Sequence, residues 1–313
     1  MEGRNAGAAA EDGFVTKVRH SLVTLAAALC LACDKGTPDA IIGPPPPTPH
    51  LSVEVRYVGP ITDAQKAVVV AAVGRWTRAL SKNFGEFRFD RPADECFRGQ
   101  PALNENHHNP LVFVSVGAID GPERSLAGTQ VCGISSRDTL PVLTHIRLDI
   151  ADLETMESRG ILLGVITHEL GHALGFNPST YGPKKLTGGG SEDPYFNGPT
   201  ARAEFAKHGA WYTGITVPLE NQSSAGPNDP HWRFLVFGDE VMASGIAAGF
   251  TSPLSVITLG LFQDLGYVVD FSVADPYEVR PLFSDNLVIP EFSLMNDLVR
   301  LAPPAVLTPV VRR

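Results

Sequence analysis

HELGHALGFNPST, residues 168–180, is the stretch on which the reading of this chain turns. His168 and His172 are four residues apart, which on an α-helix puts both imidazoles on one face, one turn apart. That spacing lets them share one metal ion. Glu169, rotated by about 100° from His168, can reach a water on that ion without occupying it. His-Glu-x-x-His is the pattern of a zinc-peptidase helix, with the glutamate as general base. A catalytic zinc needs three protein ligands and one open position. The short path to a third histidine, HExxHxxGxxH, fails here. Gly175 stands where glycine belongs, but the third-histidine position is Pro178, which has no metal-binding side chain. The apolar run ILLGVIT before the motif fits a buried helix from about 157–160 to Leu174, ended by Gly175. Gly171 and Gly175 each cost a helix about 1 kcal/mol against alanine, so something is expected to pack closely there.

Spacing alone leaves the third ligand open. Outside the N-terminal region the other histidines are His107, His108, His145, His208 and His231. A glutamate can also complete such a site, and Glu192, Glu204 and Glu220 are available. His231 stands in NDPHWRFLVFGDEVMASG, and Met242 follows eleven residues later.

HELGHALGF, a long insertion, His-Trp, then a methionine in DEVMAS resemble the leishmanolysin-like metallopeptidases, a branch of the metzincin clan. YFNGPTARAEF, VPLENQSS and LSVITLGLFQDLGYVV resemble the segments that flank these features in bacterial members. The resemblance runs roughly from Leu51 to Asp275. It implies that His168, His172 and His231 hold one Zn2+ per chain. It makes Glu169 the general base and Met242 the methionine of a turn beneath the metal, a soft apolar floor and not a ligand. The implied fold is α+β and metzincin-like. An N-terminal twisted sheet carries two helices, the second with HExxH, and an irregular C-terminal subdomain follows. The implied function is a zinc endopeptidase, in which metal-activated water attacks a peptide bond. The cleft would run along a sheet edge that can pair with an extended protein or peptide substrate. The alternative is a non-catalytic, zinc-containing adhesion or binding module of the same fold; a glutamate between two histidines favours the enzyme.

Composition frames this. With 43% hydrophobic and 19% charged residues the chain can build a real core, and a net charge of −9 argues against a nucleic-acid partner. Lys17, Arg19 and His20 precede LVTLAAALCLA, from Leu22 to Ala32, which is long enough for a signal-peptide core and too short to span a bilayer. Cys33 follows directly, and the arrangement resembles the lipobox of a bacterial lipoprotein. Residues 1–32 are therefore expected to be a leader and Cys33 a lipidated cysteine. Residues 33–50, with four consecutive prolines, are expected to be a stiff tether. The expected setting is a bacterial cell envelope, with membrane contact only through the lipid and a monomeric protein; a plain secreted form is the alternative. Two cysteines then remain, Cys96 and Cys132. In an oxidising compartment they are a disulfide candidate, against two separate thiols.

Residues 51–178 read as the N-terminal subdomain. LSVEVRYV from Leu51 alternates like a half-buried strand. Thr62 or Asp63 can cap a helix from about Ala64 to Leu80, with Val68, Ala72, Trp76 and Leu80 as its apolar face. LVFVSVGAI from Leu111 and HIRLDI from His145 read as further strands. Asp149 and Asp120 suit turns or caps. Residues 179–275 read as the C-terminal subdomain, with a helix in AEFAKHGAW and a helix then strand from Leu254. Residues 276–313 read as an extension ending in a loose tail.

Overall fold

The computed structural model describes residues 50–182, 185–187, 193–209, 216–221, 230–246, 252–279, 292–294, 298–299, 304–308 and 310. The expected leader, Cys33 and nearly all of the tether lie outside them. The first strand, β1, is Glu54–Val58, the centre of the alternating run. Helix α1, Asp63–Ala79, starts at a capping box: Thr62 Oγ1 accepts from the Gln65 N–H at 3.2 Å, and Gln65 Oε1 accepts from the Thr62 N–H at 2.9 Å. Its buried face is Gln65, Val69, Ala72, Trp76 and Ala79, and Val68 is only half-buried. Steps of strictly four residues drift around a helix of 3.6 residues per turn, which is why the expected face was rotated.

Strands β2 (Leu80–Ser81), β3 (Phe87–Arg91), β4 (Leu103–His107), β5 (Leu111–Gly117), β6 (Ala127–Ser135) and β7 (Pro141–Asp149) follow. The main sheet has the order β1-β5-β7-β6, with β1, β5 and β7 parallel and β6 antiparallel to β7. The first five residues of β5 are all buried, as a parallel strand covered on both faces requires. β6 is absent from the sequence reading. Its AGTQVCGIS holds two glycines and no clean alternation, and the strand bulges at Gly133.

Helix α3 (Leu162–Leu174) lies where one helix was expected from about 157–160 to Leu174, and a short helix α2 (Leu153–Ser158) precedes it. Gly160, at φ 70°, makes the break, a conformation only glycine adopts cheaply. α3 lies against α1, β6 and β7 and is buried continuously from Val165 to Leu174. Gly175, at φ 125°, ends it.

The C-terminal half is irregular. It contains α4 (Pro178–Tyr181), β8 (Leu186–Thr187), β9 (Tyr195–Phe196), α5 (Pro199–His208), β10 (Val217–Pro218), α6 (Phe234–Phe237), β11 (Gly245–Ile246), α7 (Val256–Asp264) and β12 (Val268–Val269). α5 has no side-chain cap of its own. Asp264, at the end of α7, supplies it by accepting from the Thr200 and Ala201 N–H groups at 2.9 Å each. Trp232 packs between Phe176 and Phe237, with ring centroids at 4.9 and 5.2 Å.

The end of the chain corrects the loose-tail expectation. β13 (Phe292–Ser293) pairs with β11. β14 (Leu298–Val299) and β15 (Ala305–Leu307) both run parallel to β6 along its outer edge. Their backbone donors and acceptors are met by a strand that the sequence reading did not see. Among the described residues no helix is long and apolar enough to cross a membrane.

Candidate metal centre

α3 presents His168 and His172 on one face, and the segment just before α6 brings His231 to them. The Nε2 atoms of His168 and His231 are 3.0 Å apart, those of His168 and His172 3.0 Å, and those of His172 and His231 3.2 Å. All three side chains are fully buried. His168 Nδ1 donates to the Val241 carbonyl at 2.6 Å and His172 Nδ1 to the Phe176 carbonyl at 2.7 Å. A carbonyl accepts only, so it fixes the proton on Nδ1 and leaves the lone pair on Nε2. Lone pairs of His168 and His172 thus converge with His231 Nε2 in a dry site, an arrangement that repels itself unless a cation sits among them. Zinc–nitrogen bonds of about 2.0–2.1 Å in tetrahedral geometry place ligand nitrogens about 3.3–3.4 Å apart. The trio lies within a few tenths of an ångström of that, and imidazole is a ligand that suits zinc.

Trp232 sets the position of His231. Its backbone N–H donates to the Met242 carbonyl at 2.9 Å, and its Nε1–H to Thr258 Oγ1 at 2.8 Å. Met242 itself is fully buried against α3. A Cβ built on Gly171 would collide with Met242 Sδ, lie 2.9 Å from its Cε and 3.1 Å from Trp76 Cζ2. That is the close packing the glycine implied, and it seats the methionine under the helix turn that carries both histidines.

A family model described as leishmanolysin matches residues 109–279, more than half of the chain and a range that includes α3, His231 and Met242. The chain belongs to the leishmanolysin family. It is 30% identical over 193 residues to leishmanolysin of Leishmania chagasi, covering 58% of this chain and 31% of that one. It is 29% identical over 184 residues to leishmanolysin of Leishmania major, covering 56% and 30%. It is 32% identical over 151 residues to a leishmanolysin homolog of Crithidia fasciculata, covering 45% and 22%. The chain thus spans less than a third of the length of these relatives. The mixed α+β arrangement is compatible with the fold that the leishmanolysin resemblance implied.

The rival ligands fall elsewhere in this leishmanolysin-family chain. Among the described residues the three histidines are the one cluster of metal-ligating side chains. His208 lies on α5 beside Glu278, at 3.8 Å. His145 is stacked on Phe97 and 2.7 Å from Ser115 Oγ, and burial, helped by the charge of Arg147, pushes its pKa down to about 3. It is a neutral core histidine. Glu204 pairs with Lys207 at 2.7 Å, and Glu192 lies outside the described residues. Glu220 is buried in a different role. Its carboxylate accepts from the Phe234 N–H at 3.0 Å and from Ser244 Oγ at 2.5 Å, which ties the His231 segment to the residues after Met242. Asp149 accepts from the Asp120 and Gly121 N–H groups at 3.2 and 3.3 Å, a turn role as expected.

Three contributors escaped the sequence reading. Glu240, fully buried, accepts from the Met242 N–H (2.6 Å), Ser255 N–H (3.2 Å), Ser255 Oγ (2.7 Å) and Thr258 Oγ1 (2.5 Å). It pins the turn at Met242 to the start of α7, and through Thr258 to Trp232. Burial raises its pKa to about 7 against those four donors. Glu220, which the sequence offered only as a rival metal ligand, is the second in this hydrogen-bonding role. Thr129 on β6 is the third: its hydroxyl lies 2.6 Å from Glu169 Oε2 and 3.0 Å from the Glu169 carbonyl oxygen. The signal for Glu240 was present, as an acid in the apolar run FLVFGDEVMA. Nothing local marks Thr129, because its role depends on a strand that was not recognised. Cys96 and Cys132 are joined by a disulfide, with Cα atoms 5.5 Å apart, and fasten the residue-96 loop to β6.

Proposed function

We propose that this protein is a zinc-dependent endopeptidase in which His168, His172 and His231 hold the metal and Glu169 is the general base. The observation that carries the reading is the triangle of Nε2 atoms 3.0–3.2 Å on a side, with Glu169 on the same helix turn. When bound, zinc supplies a Lewis acid that brings the pKa of water down to about 7 and polarises a carbonyl. The protein's residues do the rest. The Val241 and Phe176 carbonyls hold His168 and His172 in the tautomer that presents Nε2. Glu169 accepts a proton during attack on the peptide carbonyl and returns it to the departing amine. Met242 and Trp76 close the underside of the helix against water. Export and lipid attachment at Cys33 belong to the same proposal and are supported by the leader and tether pattern of residues 1–50; a monomeric state is proposed with them.

Metal analysis and a peptide-cleavage assay on the same preparation test this. The proposal expects about one zinc per chain, internal cleavage of a peptide, loss of cleavage with chelator and its return with zinc. Stoichiometric zinc with no cleavage would favour the binding-module alternative. Failure of labelled lipid to attach to the wild type, with Cys33→Ala as control, would remove the anchor.

A further inference from the structure

We propose that Thr129 is the positioning residue for Glu169, clamping the carboxylate in its working rotamer from strand β6 of the sheet. This rests on the endopeptidase reading. Thr129 and Glu169 are both fully buried, and they come from elements 40 residues apart in sequence. The hydroxyl has one hydrogen and two acceptors within reach: Glu169 Oε2 at 2.6 Å and the Glu169 carbonyl oxygen at 3.0 Å. An O–H···O contact to a carboxylate is strongest at about 2.5–2.7 Å, so the proton goes to the carboxylate. The carbonyl contact holds the hydroxyl against the backbone of α3. One side chain therefore grips Glu169 at both its main chain and its carboxylate tip.

Glutamate is a poor choice for a fixed base unless something holds it, since it has three rotatable side-chain bonds. Threonine is a good clamp. Its branched Cβ restricts χ1 in a strand, so the hydroxyl is aimed before it bonds. The strand is also rigid where Thr129 sits: its neighbour across the ladder is Ile146 of β7, and the bulge begins only after Val131. On its other side the backbone of Thr129 faces Leu298 of β14, at the outer edge of the sheet. Thr129 thus joins the strand edge to the base: its side chain serves Glu169 and its main chain serves a paired strand.

The test compares Thr129→Val, which keeps the shape and removes the hydroxyl, with Thr129→Ser, which keeps the hydroxyl. The clamp predicts that valine lowers kcat about 10- to 100-fold, the effect of losing a hydrogen bond to a charged, precisely placed group, while KM stays within about twofold. Serine should keep most of the wild-type kcat, and zinc content should be the same in all three proteins. In a Glu169→Gln background the valine change should add nothing, because the group it served is gone. Crystal structures of the valine and serine variants supply a readout independent of turnover: the carboxylate should turn in the first and stay in the second. The clamp is overturned if valine leaves kcat unchanged, if valine and serine impair it equally, or if Glu169 keeps its place without the hydroxyl. If valine prevents folding, Thr129→Ala removes the same hydroxyl without bulk. A wild-type protein that cleaves nothing sinks the endopeptidase reading, and the two crystal structures then still decide the clamp.

Discussion

Replacing Glu240 by glutamine should change how stability depends on pH, by an amount the structure sets. Glu240 is fully buried, and burial raises its pKa from 4.5 to about 7 despite four hydrogen-bond donors. A carboxyl whose folded pKa lies above its unfolded value binds its proton more tightly in the folded state. Its contribution to stability is fully present below about pH 4.5 and is lost as pH rises through about 7. At 1.36 kcal/mol per pH unit of separation, that loss is about 3 kcal/mol between pH 4.5 and pH 8. Glutamine cannot ionise, so Glu240→Gln lacks the loss. It has its own cost, since an amide NH2 cannot accept from both the Met242 N–H and the hydroxyls, and a lost buried hydrogen bond costs about 1–3 kcal/mol at every pH. The wild type should therefore be the more stable protein near pH 5, and its advantage should shrink or reverse by pH 8. Every other titrating group is shared and cancels in the difference. Urea unfolding of both proteins at fixed zinc from pH 5 to pH 8 measures it. A wild-type-minus-variant difference that stays constant within about 1 kcal/mol across that window would refute the linkage argument.

Three further outcomes are expected. His231→Ala should weaken zinc binding by orders of magnitude, because two imidazoles do not make a catalytic site, whereas His208→Ala should leave it unchanged; titration with a competing chelator separates them. Gly171→Ala should lower the melting temperature, since overpacking against Met242 and Trp76 costs about 1–3 kcal/mol and exceeds the gain of about 1 kcal/mol in helix propensity. Gly74→Ala on α1, which would meet only the flexible Arg78 guanidinium at 3.4 Å, should not lower it. Leu294 is buried, with its N–H on the Ser244 carbonyl at 2.9 Å, and stands four residues before Leu298 of β14 in the sequence. If peptides pair along the outer edge of β6, Leu294→Asp should raise kcat/KM for an extended peptide by freeing that edge. An unchanged or lower value in a folded variant would count against peptide binding there.

The α3 motif was legible because its chemistry is local: a four-residue spacing fixes two imidazoles and a carboxylate on one helix, whatever surrounds it. α1 was legible for a similar reason, through Thr62 and a run of small apolar residues, although its buried face was rotated by the drift between 4 and 3.6 residues per turn. His231 was not reachable by spacing. It is 59 residues beyond His172, and only the resemblance selected it over His208 and three glutamates. What remained hidden depends on tertiary pairing. β6 is glycine-rich and bulged, so its period is broken, and with it went Thr129 and the pairing of residues 298–299 and 305–307. The start of the zinc-motif helix could be set only to about 157–160, because the positive φ of Gly160 that divides α2 from α3 is not visible in the sequence. Glu220 and Glu240 could be seen as acids near the site, but their role as hydrogen-bond hubs exists only once Phe234 and Ser244 converge on the first and Ser255 and Thr258 on the second.

The central claim is best tested by comparing wild type and Glu169→Gln for peptide turnover at equal zinc content. The variant should keep about one zinc per chain while its kcat falls by about 10²- to 10⁴-fold, the usual worth of a positioned general base. A variant that cleaves peptides as fast as the wild type would contradict it.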